Sequence, residues 1–381
     1  MASSLVAPLR RITHFIPHLD SRKGGVTTSL YNQVQYEASC LPSSSVSIVT
    51  SDSTLSFSDP SIKLYIAPLC LQRYCFPSFR LIVLGIRLLL ESDVVHIHSV
   101  HNLFSLGFIF LSSILRKRIV IHPHGMLAKS HNRLSHLPKQ LSLLIMRISA
   151  RNAYIRYLNT NEMHSSIACF GRPVIIPNLY YYPSTIQSHA SFTSNSTLAP
   201  CPLTDCLKCV FVGRLHPIKR IHLQLQAVKL LADAGYNVTL SIIGPDDGDQ
   251  ASLAQYVSKT SIGHLVSFIG PVPYNKIPHL ISQFNLLLLT SFSEADPMTL
   301  RDGLANSVPV LLTDNLRHMS KLAPDAIVLA PPSAASIADT LCQLLNNPKT
   351  FSSLQEAASK FRHQDSDSSV HHIFSLYHAV Q

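Results

Sequence analysis

The chain has 381 residues, 46% of them hydrophobic and 14% charged, which excludes a disordered or fibrous protein and implies well-buried elements. Single cores stop growing at roughly 250 to 300 residues, so two domains are expected. A net charge of +10 with 20 further histidines favours an anionic partner: a phosphate-bearing small molecule, an acidic membrane surface or nucleic acid.

In chain order, "RRITHFIPHL" reads as a strand and "GGVTTSLYNQVQYEAS" as a glycine turn opening a helix. "SVSIVT" is a strand, "FRLIVLGIRLLLES" a helix, "DVVHIHS" a strand, "HNLFSLGFIFLSSILRK" a helix and "RIVIHPHG" a strand. Strands alternating with helices predict a parallel sheet covered on both faces, a Rossmann-like domain over 1–183. Residues 184–206 are rich in Ser, Thr and Pro and read as a linker. The alternation restarts at "LKCVFVG" and runs to the strand in "VPVLL", giving a second doubly wound domain over 207–349. Residues 350–381 are expected to be a helical segment packing back on the first domain. Two such domains would face each other across a cleft, with ligands at the carboxyl ends of the strands.

The apolar stretch 103–115 is shorter than the roughly 18 to 20 residues needed to cross a bilayer, so it reads as a buried helix. The eight cysteines lack the spacing of a disulfide framework, and Cys201, Cys206 and Cys209 have no second ligand pair at zinc spacing. A reducing compartment and no metal are expected. The N-terminus has its arginines after a short apolar run, the reverse of a secretory signal, which points to the cytoplasm.

Four strand ends carry candidate chemistry. Gly24 and Gly25 precede a helix, where backbone can approach a ligand closely. His122 and His124 follow the strand at 119–122; either could bond a sugar hydroxyl, or act structurally. A basic stretch with Lys129, Arg133, Lys139, Arg147 and Arg151 comes next. In "GRLHPIKRI", Gly213 relaxes the turn, and Arg214 and Lys219 are cations of different reach suited to a diphosphate. In "SFSEADPMTLRDGLANSVPVLL", Pro297 suits a first helical turn, with Glu294 just before it and Asp302 about 7.5 Å further along the axis. An extended ligand could touch both acids; an acidic helix stabilised by its own dipole needs none.

Taken together, "RRITHFIPHLDSRKGGV", "VVHIHS", "HPHGMLAK", "IIPNLY", "VFVGRLHPIKRI", "LSIIGP", "VSFIGPV" and the acidic stretch resemble the family 4 retaining glycosyltransferases of GT-B architecture (glycosyl transferases group 1). The resemblance implies a sugar transferred from a nucleotide-diphosphate sugar to a glycan or lipid-linked acceptor, with no cofactor beyond that co-substrate. It implies that Arg214 and Lys219 hold the diphosphate, Gly24 and Gly25 shape the floor near phosphates and acceptor, and His124 lies near the transferred sugar. Glu294 would serve the donor sugar, Asp302 the ribose, and the backbone of Pro297, Met298 and Thr299 would line the donor. The acceptor hydroxyl would attack from the leaving-group face, with a phosphate oxygen taking its proton. The sequence also departs from the family pattern. Ala295 and Asp296 replace Gly and Phe, Asp302 replaces Glu, and Ser307 stands where Gly is common. Ala295 and Ser307 restrict the backbone, and Asp296 brings negative charge toward an anionic donor.

Two other readings compete with transfer: a nucleotide-sugar binder without turnover, and a nucleic-acid-binding protein. The latter lacks a stacking motif, a zinc module and any Trp. The basic, partly apolar region from Lys129 to Arg156 suggests a peripheral contact with anionic membrane.

Overall fold

Short runs of Val, Ile and Leu become strands buried on both faces, as in "VVHIH" and "LLLL", where every residue is buried. The computed structural model describes residues 11–20, 24–41, 44–57, 59–128, 137–167, 170–180, 206–361, 373–375 and 377. The chain divides into two units, Met1–Tyr181 with Gln364–Gln381, and Tyr182–His363.

The first unit carries a seven-stranded sheet of β1 (Arg11–Phe15), β2 (Ser45–Thr50), β3 (Ile62–Ile66), β6 (Val94–His98), β7 (Arg118–His122), β8 (Tyr154–Tyr157) and β9 (Arg172–Ile175). Its order is β3-β2-β1-β6-β7-β8-β9, parallel throughout. A separate hairpin pairs β4 (Leu69–Leu71) with β5 (Phe76–Pro77). The helices are α1 (Gly25–Cys40), α2 (Phe79–Glu91), α3 (Leu103–Ile114), α4 (Leu137–Ser149) and α5 (Thr160–Ser165). Ser78 and Asn102 cap α2 and α3, accepting from Leu81 N and Ser105 N. One layer of core joins Phe15, Val95 and Ile97 to Leu81, Phe104, Phe108 and Met146; another joins Ile16 and Ile48 to Leu30 and Val34 of α1.

The second unit has a six-stranded parallel sheet, order β12-β11-β10-β13-β14-β15. The strands are β10 (Leu207–Val212), β11 (Val238–Ile243), β12 (Val266–Gly270), β13 (Leu286–Leu289), β14 (Val310–Thr313) and β15 (Ile327–Ala330). Its helices are α6 (Ile221–Asp233), α7 (Gln250–Lys259), α8 (Ile277–Ile281), α9 (Met298–Ala305), α10 (Ala334–Asn346) and α11 (Pro348–Ser359). Both sheets are doubly wound, with strand order reversing between β1 and β6 and between β10 and β13. Ligands of such sheets bind at the strand ends beside these reversals.

Several elements depart from the chain-order expectation. The edge strands β3 and β9, their neighbour β8 beside β9, and the β4–β5 hairpin lie in stretches that carry Lys, Arg, Pro and Cys rather than long apolar runs. The segment 350–381 does not act as one piece. Phe351 and Ala358 of α11 sit in the cores of the second unit, whereas Ile373 and Tyr377 pack with Ile12, Val94 and Val120 of the first. Of the expected linker 184–206, only Cys206 lies within the described residues. The stretch 103–115 forms α3, buried along Phe104, Leu106, Phe108 and Ile109 but exposing Leu103, Phe110 and Ile114. Among the described residues, no helix is long and apolar enough to cross a membrane.

Candidate functional site

In the second unit, glycine makes the strand ends meet. A Cβ on Gly244 would stand 1.8 Å from the carbonyl oxygen of Gly213, so the ends of β10 and β11 approach more closely than any side chain allows. Gly213 N donates to Ile243 O at 2.9 Å. The loop from Gly213 then passes Arg214 and enters a short 3₁₀ turn, Pro217–Lys219, whose cap His216 accepts from Ile218 N at 3.1 Å. Thr290 Oγ1 donates toward the carbonyls of Lys219 (3.0 Å) and Arg220 (3.2 Å), and Phe292 N donates to Ile218 O at 2.7 Å. This loop and the one after β13 are therefore one construction.

Lys219 and Glu294 meet within it. Lys219 Nζ donates to Glu294 Oε1, which also accepts from Ser291 Oγ at 2.6 Å, and both ionic side chains are largely buried. Arg214 is held differently: its guanidinium pairs with Asp247 in a half-exposed contact. Asn315 Nδ2 donates to the carbonyls of Ser291 (2.7 Å) and Phe292 (2.8 Å), fixing the loop that carries Glu294.

Pro297 is the N-cap of α9 rather than a residue of its first turn, with Met298 buried and Thr299 half-buried just inside. Asp302 on α9 has no exposure. Its Oδ1 accepts from Tyr274 OH at 3.2 Å, and its Oδ2 has no partner among the described residues. Burial raises its carboxyl to about 7, with the Tyr274 hydrogen bond pulling the other way. Such an oxygen is costly unless something else satisfies it.

Two departures acquire a structural meaning. Asp296 lies 3.9 Å from Arg301 Nε, both side chains largely buried, so its added charge has a counter-ion on the same helix-entry segment. Ser307 adopts φ 61°, a left-handed conformation that glycine takes without cost.

In the first unit, Gly24 is the N-cap of α1 with φ 84° and Gly25 is its first residue. Thr27 Oγ1 donates to Asp20 O at 3.0 Å, tying the helix start to the loop after β1. His124 stands in the turn after β7 with φ 50°. Glu162 holds this turn by accepting from Gly125 N at 2.6 Å and Leu158 N at 2.6 Å.

His122 is buried in a stack that also holds His14, His96 and His98. Strand register explains the stack, since His14 pairs with His96 and His98 with His122 on neighbouring strands. Burial first, then the neighbouring imidazoles and Arg156, hold His96, His98 and His122 well below the usual histidine range. Desolvation, then Arg156, lowers His124 to about 3. These four rings are neutral at pH 7.

Arg156 is a correction to the basic surface expected from Lys129 to Arg156. It is buried and donates to Ile176 O (2.9 Å), Gln33 Oε1 (2.9 Å) and Pro177 O, with His122 Nδ1 at 3.2 Å. Lys129 and Arg133 lie outside the described residues. Arg147 and Arg151 are exposed, beside a stripe of exposed Leu141, Leu144 and Ile148 on α4.

Two groups offer metal-ligand atoms within 4.8 Å of one another: His98, His122 and His124, and His14, Glu37 and His96. His96 Nδ1 lies 2.8 Å from His122 Nε2 and His98 Nδ1 3.2 Å from His124 Nε2, while His96 Nε2 has no partner among the described residues; the Arg156 cation beside His122 opposes a dication. Sequence reasoning missed His14, Glu37, His96, His98, Tyr274 and Tyr377. The repeated His-x-His of "VVHIHS" and "IHPHG" was the available signal, because alternate residues of a strand share one face.

Residues 204–361 match the family described as glycosyl transferases group 1. The chain is 28% identical over 144 residues to the 2-deoxystreptamine glucosyltransferase of Streptomyces kanamyceticus, an alignment covering 36% of each chain. It is 22% identical over 189 residues to the O-antigen chain mannosyltransferase B of Escherichia coli, covering 46% of this chain and 49% of that one. The chain thus spans less than half the length of these curated relatives. The fold resembles that of Anabaena HepE, solved with UDP and glucose, at a TM-score of 0.72 and 15% identity over 97% of this chain and 99% of that one. Two Rossmann-like domains of this kind are the GT-B fold.

Proposed function

Since the second unit is a glycosyl transferases group 1 domain, matched over residues 204–361, we propose that the protein is a retaining, metal-independent glycosyltransferase. It moves a sugar from a nucleotide-diphosphate sugar to a hydroxyl of a glycan or lipid-linked acceptor, in polysaccharide or glycoconjugate assembly in the cytoplasm. The observation that carries this reading is Asp302, a fully buried carboxyl group with one oxygen on Tyr274 and the other without a partner among the described residues. A ribose diol is a neutral donor pair of the kind such an oxygen requires.

Lys219 supplies positive charge for the departing diphosphate, with Arg214 as the second cation; both are already held by carboxylates. A donor diphosphate competes with Glu294 for Lys219, which frees Glu294 for the sugar. Charge growing on the diphosphate in an oxocarbenium-like transition state is stabilised by these fixed cations. The acceptor hydroxyl attacks on the leaving-group face and gives its proton to a phosphate oxygen.

The stripe Leu141, Leu144 and Ile148 beside Arg147 and Arg151 supports peripheral contact with anionic lipid, where each cation contributes about 1 kcal/mol. The six cysteines among the described residues are free thiols, compatible with a reducing compartment.

The test is a thermal-shift panel of nucleotide sugars, a ligand at 100 times its Kd stabilising by about 2.7 kcal/mol. It is followed by transfer assays with the stabilising donor in excess EDTA. Transfer that persists supports the reading; activity lost in EDTA and restored by magnesium or manganese overturns metal independence. Binding without transfer or donor hydrolysis would leave a nucleotide-sugar binder.

A further inference from the structure

The loops that leave β1 and β2 meet the β4–β5 hairpin at three side chains outside the sites already described. Cys75 Sγ lies 3.7 Å from His18 Nε2, and His18 Nδ1 lies 2.7 Å from Asp52 Oδ2. Asp52 is held in turn, its Oδ1 accepting from Leu19 N at 3.1 Å. Ser51 Oγ, which donates to Pro17 O at 2.5 Å, adds an acceptor 3.2 Å from the same His18 Nδ1. Cys75 is half-buried, and its chain neighbours Tyr74 and Phe76 are exposed. Its φ of 50° is one that glycine adopts without cost, so backbone shape does not account for a cysteine here.

A carboxylate only accepts, so the His18 nitrogen that faces Asp52 carries a hydrogen whether the ring is neutral or charged. The opposite nitrogen shares one proton with the thiol: it accepts from S–H, or it has taken the proton and faces a thiolate. Both states leave the sulfur beside a base that a third group orients, the arrangement that activates a nucleophile. Cys75 and Asp52 approach opposite nitrogens of one ring, so they flank it instead of converging on a point as metal ligands do. Acyl transfer would need an oxyanion hole, and the Cys75 N–H is already donated to Gln72 O at 3.1 Å. Exchange with another sulfur needs no such hole. Arg73, its guanidinium 5.6 Å from the Tyr74 ring, places a positive charge beside the cysteine and favours an anionic reagent.

We propose that Cys75 is a site of reversible thiolation, modified by an anionic small-molecule disulfide of the glutathione type. The thiol proton passes to His18 Nε2, and the thiolate attacks one sulfur of the disulfide. A bond forms between Cys75 Sγ and that sulfur as the reagent's own S–S bond breaks. Cys75 is oxidised, the departing sulfur is reduced, and it leaves with the proton that His18 held, so no further oxidant is required. Asp52 is a positioning residue that acts only through His18. A free thiol reverses the modification by the same exchange, as suits a protein of a reducing compartment, where disulfides are transient. None of these steps involves the transfer reaction.

The experiment compares the full parent chain with Cys75→Ser, His18→Gln and Asp52→Asn at pH 7. Limited alkylation with iodoacetamide is read cysteine by cysteine by mass spectrometry, with the exposed Cys40 and Cys70 as internal standards. The ultraviolet absorbance of the thiolate is taken as the difference between each protein and Cys75→Ser. Glutathione disulfide is the probe of exchange. In the parent, Cys75 should react about tenfold faster than either standard, as an activated thiolate does beside ordinary thiols. It should also carry the glutathione adduct, which dithiothreitol removes. His18→Gln and Asp52→Asn should lower both the rate and the thiolate absorbance. Asp52 is half-exposed, so its variant keeps the fold even where His18→Gln does not. Cys75 reacting no faster than Cys40 and Cys70, an adduct on those residues in its place, or an Asp52→Asn protein with the parent's rate and absorbance overturns the proposal.

Discussion

Replacing Asp302 by Asn tests the donor site without any need for a substrate. The carboxyl goes from an ordinary value of 3.8 to about 7 on folding. At about 1.4 kcal/mol per pH unit this gap amounts to about 4 kcal/mol. Between those two pH values the folded protein holds a proton that the unfolded chain has lost, so stability from this group falls as pH rises. It is fully present below pH 3.8 and fully lost above about 7. The Asp302→Asn variant keeps the shape and the Tyr274 contact but cannot titrate. Urea denaturation of both proteins from pH 4 to 8 should therefore show the parent losing about 4 kcal/mol relative to the variant over that window. A bound ribose needs the ionised form, so UDP affinity of the parent should climb up to about pH 7 and then level off. At pH 8, Asp302→Ala should weaken UDP by about 1.5 to 3 kcal/mol, whereas Asp302→Glu should bind as well or better. Parallel stability curves would refute the buried, protonated carboxyl. Parent-like binding by both the Ala and Glu variants would reduce Asp302 to an acid that serves only its helix.

Glu294→Gln keeps the bond from Ser291 but removes the partner charge of Lys219; turnover should drop by about tenfold or more while UDP affinity holds or rises, as single-turnover transfer and calorimetry would reveal. Ser307→Gly relieves a φ of 61° and should raise stability by about 1 kcal/mol, visible as a higher urea midpoint at unchanged slope. The double substitution Leu141→Ser with Ile148→Ser should reduce flotation with anionic liposomes at low salt without altering the melting temperature; parent protein that fails to float removes the membrane contact.

The two sheets were legible because their central strands are short and rich in Val, Ile, Leu and Phe and alternate with helical stretches, and helix starts such as Gly24 and Pro297 announce themselves by residue type. The strand Tyr154–Tyr157 was not, because Arg156 reads as a surface cation; it is buried at the expense of four polar contacts that only the fold assembles. Lys219 and Glu294 could be singled out as ligand-facing residues, but their bond to each other spans 75 residues and leaves no trace in local spacing. Tyr274 likewise comes to Asp302 from a different strand's loop. The histidine stack was half visible: the period-two pairs were in plain sight, whereas Glu37, bonded to His14 and to Tyr377, lies 340 residues from the latter.

That last separation bears on how the protein is made. Tyr377 fills a fully buried seat in the first unit, against Glu37 and beside Ile12, Val94 and Val120. Domains of a nascent chain ordinarily finish in the order in which they leave the ribosome. Here β1 packs with a tyrosine that is translated only after the whole of the second unit. A chain arrested at residue 363 should hold a protease-resistant second unit and a first unit cut readily around α1, and supplying the missing segment as a peptide should restore its protection. Closure of the first unit would then follow delivery of the second.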